Sequence, residues 1–361
     1  MKKLLGLATI PAPYRVDVLC GLSEKYDIDV YFERLLDQNR NARYCGEGEG
    51  YTVLTTPELM QEYKAKIKNI RQYDMVLAHD YTSKMGMQLM LRCIFAGVPY
   101  CINCDGAFIY PHWLKDRIKS FFIKRAAAFF ASGQSAKEYL MHYGATENKI
   151  FYHKFTATHR KDMPAECPTT EERQAYRRQL GFAEKKTVVS VGQFIHRKGF
   201  DVLLDAWKGM PEDCQLLLIG GGQEKDHYMQ QIREQGLQNV EILDFVDKEK
   251  IFDYYRASDL FVLPTREDVW GLVINEAMSC GLPVITTDMC VAGKELIEDD
   301  SQGYVIPIDH AELLHEKMVD ILADPQRAEA MGRKNHTKIQ DYVVENIVAG
   351  HLEVLEQLMG E

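Results

Sequence analysis

The chain has 361 residues, 46% of them hydrophobic and 27% charged, and a net charge of −10. This length exceeds one ordinary core and suits two domains, and the negative balance disfavours a general nucleic-acid binder, which needs a basic face for phosphates. No run approaches the roughly 20 uninterrupted apolar residues of a membrane-spanning helix, and nine scattered cysteines in a chain of this size predict free thiols in a reducing, cytoplasmic compartment.

From the N-terminus, Lys2 and Lys3 precede an apolar LLGLATI in the outline of a signal peptide. The run is short, lacks a small-residue cleavage site and leads into PAPYRVDVL, so it reads as a first buried strand. DIDVYFE, DMVLAH, VPYCIN and FFASG read as further buried strands, separated by segments of helical spacing such as SKMGMQLMLRCIFAG. That alternation predicts a parallel sheet covered on both faces. Asp27 and Asp29 form an Asp-x-Asp pair that opens a strand instead of following one, so no metal is implied. Cys101 and Cys104 have the spacing of half a zinc site, but without a second pair or suitably spaced histidines they read as small buried groups near a strand end.

The polar stretch THRKDMPAECPTTEERQAYRRQ interrupts the pattern, and Thr170 followed by Glu171 and Glu172 looks like a helix start, which puts a domain boundary near residues 158–170. TVVSVGQ, QLLLIGGG, NVEILDFV, DLFVLPT, PVITTD and GYVIPI then repeat the pattern, and the tail from Pro325 to Leu358 is helical in composition. The expected architecture is α/β: two Rossmann-like, doubly wound parallel-sheet units, residues 1–165 and 166–340, with residues 341–361 packing back toward the first. Ligands of open parallel sheets sit beyond the carboxyl ends of the strands, so the chemistry is expected where both units contribute loops.

Three stretches of the second half carry chemistry. In REDVWGLVINEAMSCGLPVI, Gly271 and Leu272 open a short helix, Asp268 stands just before it and Glu276 more than a turn inside it. A helix N-terminus suits a phosphate, and a carboxylate accepts from two adjacent hydroxyls, so Glu276 is placed to hold a ribose diol and Asp268 the hydroxyls of a second sugar. The same acids also fit a helix cap and a surface residue. In VSVGQFIHRKGFDVLLDAW a strand ends at Gly192 and Gln193 and a helix begins near Phe200; Arg197 and Lys198 between them suit a pyrophosphate or make a solvated basic turn. LLLIGGGQEKD puts three glycines after a strand, for close approach to a ligand or a tight turn, without the spacing of a dinucleotide fingerprint.

In this order the motifs, over roughly residues 185–310, closely resemble those of the retaining glycosyltransferases of family 4, which have the two-domain GT-B fold. Their donor signature is a Glu, seven residues and a second Glu; here Asp268 stands where the first Glu is usual, Glu267 is one place out of register, and Glu276 is the second. The resemblance implies that Glu276 binds the nucleotide ribose and Asp268, or else Glu267, the donor sugar. The family grips the diphosphate with an Arg and a Lys; Lys198 matches, Gln193 occupies the Arg position, and Arg197 is the substitute. It also implies backbone contacts from near Phe245 and Val246 to the base.

The first half resembles the family less, although IPAPYR and VYFE look like acceptor-domain features of a capsule or exopolysaccharide subgroup, which makes Tyr14 and Arg15 candidates to line the cleft, with Asp105 on the same acceptor side. His112 is a candidate for a sugar contact, by likeness to an N-domain histidine of some relatives, or is structural. After it, residues 113–125 interleave Lys115, Arg117, Lys119, Lys124 and Arg125 with Trp113, Ile118, Phe121 and Phe122. That pattern fits contact with an anionic membrane surface, or an ordinary helix with a buried aromatic face.

The function expected from the resemblance is transfer of a sugar, with retention, from a nucleoside diphosphate sugar, a UDP-sugar being favoured, to a glycan or polyprenol-linked acceptor in cell-surface polysaccharide biosynthesis. No cofactor, metal or nucleic acid is expected, and the location is cytoplasmic, at the inner face of the cell membrane if the basic helix makes contact. Rival readings are a sugar nucleotide epimerase of the same fold and a non-catalytic sugar nucleotide-binding protein; a nicotinamide dehydrogenase lacks its glycine fingerprint.

Overall fold

The computed structural model describes residues 1–35 and 50–360, which divide into two compact units, Met1–His159 with Tyr342–Glu361 and Arg160–Asp341. The first unit runs β1 (Lys3–Ala8), α1 (Pro13–Gly21), β2 (Asp27–Phe32), β3 (Tyr51–Val53), α2 (Pro57–Lys68), β4 (Met75–Ala78), α3 (Lys84–Ala96), β5 (Tyr100–Cys104), α4 (Trp113–Ile123), β6 (Ala128–Ala131), α5 (Gln134–His142) and β7 (Ile150–Tyr152). Its seven described strands are all parallel, in the order β3-β2-β1-β4-β5-β6-β7. Leu4, Leu5 and Leu7 of β1 are fully buried because a central parallel strand has helices over both faces. On one face Leu5, Leu7 and Val76 meet Tyr63, Leu89, Met90 and Leu140; on the other Leu4, Leu77 and Phe130 meet Val16 and Leu19.

The second unit runs α6 (Thr170–Leu180), β8 (Lys186–Val191), α7 (Phe200–Trp207), β9 (Cys214–Ile219), α8 (Lys225–Glu234), β10 (Val240–Leu243), α9 (Lys248–Arg256), β11 (Leu260–Leu263), α10 (Leu272–Ser279), β12 (Val284–Thr287), α11 (Val291–Leu296), β13 (Gly303–Ile306), α12 (Ala311–Ala323) and α13 (Pro325–Ile339). Its sheet, also parallel, has the order β10-β9-β8-β11-β12-β13. The chain then returns to the first unit as α14 (Val344–Met359), whose Val354 and Leu355 join the Leu4 and Phe130 face of that core.

The helix expected from Thr170 begins there, with Thr169 as its cap: the Thr169 hydroxyl accepts from the Glu172 N–H while Glu172 reaches back to the Thr169 N–H at 2.8 Å, a capping box. The three-residue strands β3 and β7, at the two edges of the first sheet, are too short to stand out in the sequence. The expected strands are otherwise present, and both sheets reverse their strand order once, between β1 and β4 and between β8 and β11.

Candidate functional site

In the second unit the reversal lies between β8 and β11, and in open parallel sheets ligands bind outside the carboxyl ends of the strands at such a point. After β8 come Gly192, Gln193 and a basic turn, His196–Lys198. Gly199, at φ +69°, ends the turn so close to β11 that a Cβ there would lie 2.0 Å from the Pro264 carbonyl oxygen. The segment after β11 locks onto the same turn. The Thr265 hydroxyl and the Arg266 N–H donate to the Arg197 carbonyl at 3.0 and 2.8 Å. The Arg266 guanidinium holds both Asp201 oxygens at 2.6 and 3.0 Å, Asp309 at 2.7 Å and the His196 carbonyl at 2.6 Å.

This fixed turn brings the sequence candidates together. The Lys198 ammonium donates to the Asp268 carboxylate, both residues being 8% exposed. Arg197 lies 4.0 Å from the other Asp268 oxygen and donates to the Glu267 carbonyl. Asp268 does not cap α10; it forms an isolated parallel bridge with the segment between β12 and α11, its N–H donating to Met289 at 2.8 Å and its carbonyl accepting from Val291 at 3.1 Å. The N-cap is Gly271, at φ +100°, which has no side chain to cap the helix start. Leu272 and Glu276 of α10 are half-buried, and the Tyr255 hydroxyl donates to Glu276 at 2.8 Å. Cations, a helix start at a glycine and carboxylates, all carried on the segments that follow β8 and β11, are groups that can bind a diphosphate and vicinal hydroxyls.

The glycine run after β9 serves the turns themselves. Gly220 and Gly222, both at φ +152°, would place a Cβ 1.9 Å from the Gly192 carbonyl oxygen and 2.5 Å from that of Phe194. Close turn packing therefore accounts for them. Phe245, which follows β10 with Val246, lies over Gly221, where a Cβ would come within 2.9 Å of its ring.

In the first unit Arg15 and Tyr14 follow β1, on α1, and His79 follows β4, again where the strand order reverses. The Arg15 guanidinium donates to Asp105 and to His79 Nδ1 at 2.6 Å, and lies over the Tyr14 ring at 5.2 Å. Asp105 also accepts from the Asn103 amide, and Asn103 Oδ1 lies 3.4 Å from Nε2 of His351 on α14. His351 stacks on Phe130 at 3.8 Å, with His153 at 5.4 Å. Burial first, then Arg15, holds His79 well below the ordinary imidazole range and His153 down to about 3; burial and the neighbouring His153 hold His351 at about 3. The His79 Nε2, the Ser132 hydroxyl and both ring nitrogens of His153 have no partner among the described residues. No sequence pattern marked these imidazoles, which stand singly along the chain.

His112 is exposed at the N-cap of α4, its Nδ1 accepting from the Lys115 N–H at 3.5 Å. The helix it starts departs from the ordinary alternative of a buried aromatic face: Phe122 and Ile123 are buried, but Trp113 is 72% exposed, and Leu114, Ile118 and Phe121 also face solvent. Beside them Asp116, Arg117, Ser120, Phe121, Lys124 and Arg125 line a depression of 390 Å³. No helix among the described residues is long and apolar enough to cross a membrane. Asp29 of the Asp-x-Asp pair is engaged by Lys66 at 2.5 Å and Tyr73 at 2.6 Å, and burial pushes the Cys101 and Cys104 thiols up to about 12.

Residues 172–338 match the family described as Glycosyl transferases group 1. The chain is 30% identical over 177 residues to the amylovoran biosynthesis glycosyltransferase AmsD of Erwinia amylovora, covering 48% of this chain and 49% of that one. It is 30% identical over 186 residues to a GDP-mannose-dependent monoacylated alpha-(1-6)-phosphatidylinositol monomannoside mannosyltransferase of Corynebacterium glutamicum, covering 48% and 47%. The chain thus spans about half the length of the curated relatives it matches. Among solved structures, Anabaena Alr3699/HepE in complex with UDP superposes with a TM-score of 0.78 at 19% identity, over 99% of this chain and all of that one. Sucrose-phosphate synthase from Thermosynechococcus elongatus does so at 0.77 and 18%, over the whole of both chains. Two parallel-sheet units and these likenesses make the fold GT-B.

Proposed function

We propose that this chain is a retaining glycosyltransferase that moves a sugar from a nucleoside diphosphate sugar, a UDP-sugar by preference, to a glycan or lipid-linked acceptor in cell-surface polysaccharide biosynthesis. The observation that carries this reading is the meeting of Lys198, Arg197 and Asp268 beside the start of α10, at the reversal of the second sheet. Negative charge grows on a diphosphate as it leaves, and cations with helix N–H groups stabilise it. An ammonium has three donors, so Lys198 keeps Asp268 with one and offers the others to phosphate oxygens. The group 1 match over 172–338 and the likeness to AmsD and to a UDP-bound HepE support the assignment.

In this reading Asp268, with Glu267 beside it, meets the donor sugar and Glu276 the ribose. Gly192, Gln193, Gly271 and Leu272 line the donor, and the backbone at Phe245 and Val246 meets the base. Tyr14, Arg15 and Asp105 serve the acceptor, and His112 is assigned to a sugar hydroxyl. The positive charge comes from side chains, and no divalent cation is needed. The exposed Trp113, Leu114, Ile118 and Phe121, flanked by Arg117, Lys124 and Arg125, support contact of α4 with an anionic inner membrane surface, where a polyprenol-linked acceptor would be at hand.

The test is thermal stabilisation by UDP, GDP, ADP and CMP, then by sugar conjugates of the ligand that binds, with Glu276→Ala as control. A ligand at 100 times its dissociation constant adds about 2.7 kcal/mol. Stabilisation of the wild type alone, followed by retained-anomer transfer in excess chelator, is expected. Stabilisation by none of the four, or a product epimerised without an acceptor, overturns the reading.

A further inference from the structure

Helix α4 and the two residues after it carry cations that no carboxylate neutralises. Among the described residues Lys115, Arg117, Lys124 and Arg125 form no ion pair, whereas Lys137 of the next helix, α5, has Glu147. The chain has a net charge of −10, so these cations stay unpaired where carboxylates are plentiful. Positions 117, 120, 121 and 124 recur at helical spacing and share one face. There Arg117, Lys124 and Arg125 line the 390 Å³ depression with Ser120, Phe121 and Asp116. The Arg125 guanidinium is fixed in place, lying over the Phe121 ring at 4.0 Å and donating to the Phe121 carbonyl at 2.8 Å. Both Asp116 oxygens are engaged by neutral donors, the His112 N–H at 2.7 Å and the Tyr143 hydroxyl at 3.1 Å. The lining thus keeps two positive charges in net. One turn earlier on the same face stands Trp113, 72% exposed, and Ile118 and Phe121 are open to solvent beside the cations.

We propose that this depression is a headgroup site for lipids that end in a free phosphate group, a phosphomonoester or diphosphate, in preference to phosphodiester lipids at equal surface charge. The proposal rests on the reading of α4 as a membrane contact. A phosphomonoester carries about −1.5 to −2 charges at neutral pH and three acceptor oxygens, and an arginine fork engages two of them at once. A phosphodiester, esterified twice, has less of both. The apolar side chains around the cations select a lipid over dissolved phosphate, because they leave water only when the phosphate arrives on a bilayer.

The experiment is sedimentation of the full chain with phosphatidylcholine vesicles that contain either phosphatidic acid, a phosphomonoester, or phosphatidylglycerol, a phosphodiester, at matched zeta potential. The wild type is expected to bind the phosphatidic acid vesicles about tenfold more tightly, the magnitude of one hydrogen bond to a charged group. Arg117→Gln should narrow that ratio at least threefold. Lys115→Gln removes a cation of the same helix outside the depression; it should weaken binding to both vesicles about fivefold and leave the ratio unchanged. Millimolar glycerol 3-phosphate should not displace the protein, and displacement overturns the lipid as the source of the phosphate. Equal binding of both headgroups by the wild type, or an unaltered ratio in Arg117→Gln, overturns the headgroup site and leaves the membrane contact standing. A wild type that sediments with neither vesicle overturns the membrane contact and the proposal together.

Discussion

Lys198 and Asp268 meet as a buried ion pair, one at the end of the turn after β8 and the other just before α10. The sequence assigns them to different parts of a donor molecule, yet in the folded chain each is the other's partner. Such a pair contributes little net stability over an apolar replacement, but breaking it leaves an uncompensated charge. Lys198→Met and Asp268→Leu are each expected to cost about 3 kcal/mol or more, and the double substitution less than either. Chemical denaturation of the four proteins checks this; additive losses would show that the two charges are not coupled.

Two neighbouring glycines should respond in opposite ways. At Gly192 the nearest atom to an added Cβ is the Phe200 ring at 3.4 Å, an ordinary contact, whereas Gly199 faces the Pro264 carbonyl at 2.0 Å with positive φ. Gly192→Ala is expected to melt within a few degrees of the wild type, and Gly199→Ala about 10 °C lower or not to fold. If Gly192→Ala loses nucleotide affinity while its melting temperature holds, the loss reports closeness of position 192 to the ligand.

The buried imidazoles of the first unit set an acid limit. His153 and His351 titrate near 3 when folded against about 6.5 unfolded, and His79 is lowered in the same direction. Between those values the unfolded chain binds more protons, so stability is full above about pH 6.5 and falls as the pH drops toward 3. Each imidazole contributes a slope of up to about 1.4 kcal/mol per pH unit. Unfolding free energies between about pH 4 and pH 7 should show the decline, and His351→Gln should flatten it. A variant curve parallel to the wild type would exclude His351 as a source.

Membrane contact by α4 is open to a direct binding assay. Each basic residue near an anionic surface is worth about 1 kcal/mol, so replacing Lys124 and Arg125 by Gln should weaken sedimentation with anionic vesicles about thirtyfold. Trp113→Ala should weaken it through lost apolar insertion, and neutral vesicles should bind poorly. Binding indifferent to lipid charge and to these substitutions would remove the membrane from the account.

Much of the fold was legible because parallel strands buried on both faces leave unbroken apolar runs such as QLLLIG, and the order of those runs carries the doubly wound topology. The edge strands β3 and β7 were not, since three residues are too few to set a strand apart from a loop. The stretch around Asp268 and Glu276 stood out by local spacing. What local spacing cannot carry is convergence from afar: Tyr255 reaches Glu276 from another helix, Arg266 ties Asp201 to Asp309, and His351 meets Asn103 across 248 residues. Each depends on which strand ends become neighbours, a property of the folded sheet and not of any one segment.

The division of the chain also orders its own making. The first unit begins at Met1 but closes only with Tyr342–Glu361, whose α14 supplies Val354 and Leu355 to one face of its core. Domains tend to fold as they leave the ribosome, N-terminal ones first. Here the residues of the second unit have all emerged once Asp341 has, while the core face of the first that holds Phe130 still lacks Val354 and Leu355 of α14. A nascent chain stalled before α14 would therefore present one finished unit and one open apolar face, a natural target for chaperones.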